Sequence, residues 1–174
     1  MSFMASHLSR ACLTLLLGLG ASGAFAQSPA EFIDDASAKG MADIEASRLA
    51  HQKTSSKAVK DYTILVINDR TTANQHLAKI ARKLDLPVAP REEVISKSKA
   101  LIPEVAEGEA FDAAYAESQV KATEEAIEQI RRQAETTGVP ELKAFAEETL
   151  PKLRNHLQMA KALKAGRTPE QLEG

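Results

Sequence analysis

Residues 56–84 read SKAVKDYTILVINDRTTANQHLAKIARKL. Within them Val59, Thr63, Val66, Arg70, Ala73, Leu77, Ile80 and Leu84 recur at alternating spacings of four and three. That spacing lays them along one stripe of a helix. The alternation is the signature of antiparallel bundle packing, with axes crossing at about 20°. Ser55 and Ser56 offer N-caps, and Pro87 and Pro90 stop the segment.

Three further segments share this pattern. The first covers about 29–53, with Pro29 suited to the opening helical position after Ser28. Its stripe is broader, running Phe32, Ile33, Ala36, Met41, Ile44 and Leu49, with Gly40 inside. The third covers about 109–137, after Gly108, with Ala116, Val120, Thr123, Ile127, Ile130 and Ala134 in line and Gly138 as its C-cap. The fourth starts near Pro140 and runs to Ala165, with Gly166 as its stop. Leu142, Ala146, Thr149, Leu153, His156, Ala160 and Leu163 form its stripe. Pro151 lies inside this segment, where it removes one helical hydrogen bond. Curvature around the core is expected there rather than a sharp kink or two separate helices.

The chain therefore reads as an all-α four-helix bundle. Helices one and two, and three and four, are joined by two or three residues. The link from 85 to 108 is long enough to need structure of its own. A short helix from Arg91 to Leu101, closed by Pro103, supplies it. Two hairpins joined by one long crossover is ferritin-like connectivity; the alternative is an up-down bundle with a decorated loop.

Composition fits this reading. The 174 residues suit one domain with a real core. Aromatics are only 4% and Trp is absent, so Ala and aliphatic side chains must fill the interior. A formal net charge of −2 and the lack of a basic stripe argue against nucleic acid as a partner.

Residues 1–26 read MSFMASHLSRACLTLLLGLGASGAFA, a Sec signal peptide. Arg10 gives a positive start, Ala11 to Leu19 is apolar, and Ala24-Phe25-Ala26 is a small-x-small cleavage site before Gln27. The apolar run is too short to span a bilayer comfortably. Removing the leader takes away Cys12, the one cysteine, and leaves a net charge of about −3. The expected organisation is signal peptide 1–26, bundle 27–166 and flexible tail 167–174, in a periplasmic protein without a transmembrane segment once mature. Peripheral association with the outer membrane and an envelope protein partner stay open.

Three stripe positions are not apolar: Arg70, Thr123 and His156. A buried charge needs a partner, and Glu45 and Asp69 are candidates for Arg70. His156 is more simply a hydrogen-bonded core histidine than a ligand. A di-iron centre is not supported, because the chain has no Glu-x-x-His. A single site built from Glu45, Asp69, Tyr115, Glu124 and His156 would suit one divalent metal: Zn, Fe, Mn or Cu. No cofactor is otherwise expected. Nothing resembles G-x-S-x-G, a P-loop or a dinucleotide fingerprint, so catalysis has no motif behind it. Runs such as Glu124-Glu125 and Arg131-Arg132 read as solvated faces.

Three stretches carry a family resemblance: FIDDASAKGMADIEASRLAHQKTSSKAVKDYTILVINDRTTAN (32–74), FDAAYAESQV (111–120) and FAEETLPKLRNHLQMAKAL (145–163). Phe111-Asp112 with Tyr115, and Leu150-Pro151 with His156, are the most specific pieces. From Phe32 to Leu163 the chain resembles the exported family labelled domain of unknown function 4142. The resemblance implies export and a ferritin-like helical fold, and no agreed chemistry. That family tends to carry Asp-His in helix two, where this chain has Asp69-Arg70. It tends to carry His-Glu in helix three, where this chain has Thr123-Glu124. Glu45 and His156 are kept. If the family's seam histidines bind metal, this chain has lost two, and Arg70 places a positive charge where a cation would sit. An envelope-stress or binding role follows best. A metal-binding bundle and a client-binding periplasmic chaperone are the alternatives.

Overall fold

Ser28 starts the first helix. Its hydroxyl accepts from the Glu31 backbone N–H at 3.3 Å, and the Glu31 carboxylate accepts from the Ser28 N–H at 3.0 Å. This reciprocal capping box satisfies two N–H groups that a helix start leaves bare. The computed structural model describes residues 27–101 and 110–167. The expected leader, Pro103, Gly108 and all but the first residue of the expected tail lie outside them.

Five helices are present among the described residues, and no strand: α1 (Pro29–Lys53), α2 (Lys57–Lys83), α3 (Arg91–Leu101), α4 (Phe111–Thr136) and α5 (Pro140–Lys164). Ser56 caps α2 by accepting from the Val59 N–H. The short crossover helix is α3, where the sequence placed it. Proline does not divide α5; Pro151 is exposed, so the carbonyl it leaves without a helical donor faces water.

After α2, Asp85 takes a left-handed conformation with φ 49°. The Leu86 N–H then donates to the Ala81 carbonyl at 3.0 Å and the Asp85 N–H to Arg82 at 3.4 Å, a Schellman ending without glycine. After α5, Gly166 at φ 68° makes the same motif, as expected from the sequence. Gly138 does not behave this way. Thr137 ends α4 in an extended conformation, its hydroxyl accepting from the Val139 N–H at 3.1 Å, so no left-handed glycine is required.

α1 packs on α2, α2 on α5, α5 on α4 and α4 back on α1. α3 lies against the outside of α1. The core has two apolar clusters. One joins Phe32 and Ile33 to Leu77, Ile80, Ile130, Leu142, Phe145 and Leu153. The other joins Ala50 to Val59, Val66, Phe111, Tyr115 and Ala160. The starts of α1 and α5 thus meet the ends of α2 and α4. α2 and α4 therefore run the same way. A plain up-down order would have reversed one of them. No helix among the described residues is long and apolar enough to cross a membrane.

Candidate functional site

Between the two apolar clusters lies a layer of buried polar side chains. Asp43 on α1 and Arg70 on α2 are 7% and 6% exposed, and Arg70 Nη2 donates to Asp43 Oδ2 at 2.7 Å. The sequence offered Glu45 or Asp69 for this role, and neither fills it. Glu45 is exposed and paired with Arg48 one turn along α1. Hydrophobicity alone does not point to Asp43, because the apolar stripe of α1 runs through Met41 and Ile44. The true inner face runs through Phe32, Ala36, Gly40, Asp43, Ser47 and Ala50, with the four-three alternation holding from Ala36 onward. That spacing was the available signal, disguised by small and polar residues.

Asp69 and His156 do meet. His156, 1% exposed on α5, shares a 2.8 Å hydrogen bond from Nε2 to Asp69 Oδ2. A carboxylate can only accept, so Nε2 carries the proton. The Tyr62 ring stands edge-on to His156 at 6.3 Å and to Tyr115 at 6.2 Å. The Tyr115 hydroxyl and Ser47 Oγ are 2.7 Å apart. The Tyr62 hydroxyl donates to Gln119 Oε1 at 3.5 Å, and the Thr123 hydroxyl is also within its reach. Thr123 is buried on α4, as its stripe position required.

Burial governs the electrostatics. It pushes the Asp43 carboxyl up, against the pull of the adjacent Arg70 guanidinium. It pushes His156 below its ordinary 6.5; the Asp69 hydrogen bond opposes this and the Arg70 charge reinforces it. Burial also raises both tyrosines, which stay protonated and serve as hydrogen-bonding groups. Small cavities of about 20 Å³ flank Arg70, whose Nε has no hydrogen-bond partner among the described residues.

Of the five sequence-predicted metal residues, two come together. Asp69 and His156 are paired with each other, Tyr115 is tied to Ser47, and Glu124 is exposed on α4 with Lys161 at 2.8 Å. With Glu45 also in solvent, no three His, Cys, Asp or Glu side chains among the described residues are grouped to hold an ion. Asp69 and His156 alone of the five are in contact, beside the Arg70 guanidinium and its Asp43 carboxylate.

The family model described as "Domain of unknown function (DUF4142)" matches residues 17–163. The chain belongs to this family. Neither a curated protein nor a solved structure matches it. In this DUF4142 domain the matched span takes in the residues of both apolar clusters and the polar layer between them.

Proposed function

We propose that this DUF4142 protein is an exported, ferritin-like helical bundle of the periplasm, without a catalytic role, that acts in envelope stress or binding through its surface. The Asp43–Arg70 ion pair carries this reading. A permanent cation in the middle of the bundle, held at 2.7 Å by its own carboxylate, does internally what a bound metal would do in a carboxylate-lined bundle. The shared direction of α2 and α4 supports ferritin-like connectivity. The signal-like residues 1–26 support export.

Export is tested by fractionating cells that make the full chain and weighing the periplasmic product. A mature N-terminus at Gln27 is expected; retention in the cytoplasm overturns the proposal. The closed core is tested by metal analysis of that product and by melts with and without Zn, Fe, Mn or Cu. No stoichiometric metal and an unchanged Tm are expected. A bound metal with a raised Tm that His156→Ala abolishes would favour the competing metal-binding reading.

A further inference from the structure

Away from the polar layer, where α3 rests on α1, an open groove of about 860 Å³ runs between α1, α2, α3 and the α2–α3 link. Its walls are mainly apolar: Met41, Ile44, Ala78, Leu86, Val88 and Val94. The volume falls within the range of small-molecule sites, about 300–1,000 Å³. Four charged residues also line it. Asp34 is engaged, both carboxylate oxygens accepting from the Ala89 N–H at 2.9 and 3.0 Å. Arg82 and Arg91 are exposed, and neither makes an ion pair among the described residues; the exposed Asp85 is the fourth charged residue of the lining.

Shape and charge together select a ligand. Among the described residues the exposed large apolar side chains are Ile64 and Leu101, and neither lines the groove. Its apolar surface is recessed rather than presented as knobs for a partner helix. A slender apolar body fits a recessed floor, and a carboxylate suits the fork of a free guanidinium. We infer that the groove binds a long-chain carboxylate of fatty-acid type, alkyl chain along the outer surface of the α1–α2 seam beside α3 and headgroup on Arg82 and Arg91. This gives a ligand class to the binding role proposed above and rests on it, while the closed core is measured separately by the metal melts.

The test is calorimetric titration of the mature chain with octanoate, laurate and palmitate below their aggregation thresholds, with hexadecanol as the neutral control. Saturable binding of one ligand per chain is expected. Affinity should rise by up to about fourfold per buried methylene. The double change Arg82→Glu and Arg91→Glu should weaken palmitate at least tenfold and leave hexadecanol unchanged. Ala78→Trp, which fills the floor, should weaken both ligands. If that variant loses its helical circular dichroism, the two exposed arginines decide alone. No saturable binding, or palmitate affinity indifferent to the arginine changes, overturns the inference. So does an amphipathic helical peptide that binds the groove more tightly than palmitate. Failure here with a metal-free, unshifted core removes the ligand class alone.

Discussion

An arginine and an aspartate buried together are not equal partners. A carboxyl left alone in an apolar site takes up a proton and becomes neutral, whereas a guanidinium cannot lose its charge. Burial already pushes Asp43 upward, so its proton is within reach. In Arg70→Met the freed Asp43 has a folded-state pKa raised further above its unfolded value. Such a group contributes stability that is present at low pH and lost as pH rises through the folded pKa. Arg70→Met should therefore melt closer to the unaltered protein at pH 5 than at pH 8. A gap that widens toward acid would contradict this. His156 has the opposite sign. Its pKa is depressed by burial, so its neutral form stabilises the fold above about pH 6.5, and that contribution is lost as pH falls through the folded value. His156→Gln should flatten the decline in Tm between pH 7 and pH 5. At this scale the sequence disclosed Arg70, Thr123 and His156, because each interrupts an apolar stripe. It hid Asp43, Ser47 and Gln119, because polar residues on a true inner face look like surface until spacing is weighed above hydrophobicity.

Element boundaries were legible where backbone chemistry is strict. Ser28, Ser56, Pro140 and Gly166 mark helix ends as expected, and the 91–101 helix lies where the length of the link called for one. Asp85 and Thr137 were not legible, since Asp85 takes a left-handed backbone that glycine takes more often and Thr137 ends its helix extended, its hydroxyl accepting from the Val139 N–H. Asp85 stands in a left-handed conformation that favours glycine. Asp85→Gly should stabilise the fold by about 1 kcal/mol, a rise in Tm of about 2–4 °C in a chain of this size. A fall in Tm would show that the Asp85 side chain contributes more than its backbone costs. Gly40 marks a close approach of α1 to α2. A Cβ there would run into the Asn74 side-chain amide, which donates to the Ser37 carbonyl at 3.1 Å. Gly40→Ala should lower Tm, although alanine is the better helix former by about 1 kcal/mol. In an Asn74→Ala background the same change should raise Tm; a rise in both backgrounds would remove the steric account.

Across the whole molecule, two apolar clusters could unfold separately if the polar layer were loose. The layer links α1 to α2 through Asp43–Arg70, α2 to α5 through Asp69–His156, α1 to α4 through Ser47–Tyr115 and α2 to α4 through Tyr62–Gln119. One cooperative transition is the expected result. The chain offers a clean probe, having two tyrosines and no tryptophan, and both tyrosines sit in this layer and the cluster beside it. Urea unfolding followed by tyrosine fluorescence and by far-ultraviolet circular dichroism should give coincident midpoints. Separate midpoints would mean that the layer insulates the clusters. The sequence foretold this architecture through periodicity, but not the partner of Arg70, which depends on how α1 is rotated against α2.

A thermodynamic cycle on Asp43 and Arg70 tests the closed core most directly. Asp43→Leu alone should cost about 3–5 kcal/mol, because it strands the guanidinium, and Arg70→Met alone should cost less. The double variant Asp43→Leu/Arg70→Met should recover to within about 1 kcal/mol of the unaltered protein. Equal single losses that simply add in the double variant would contradict the account.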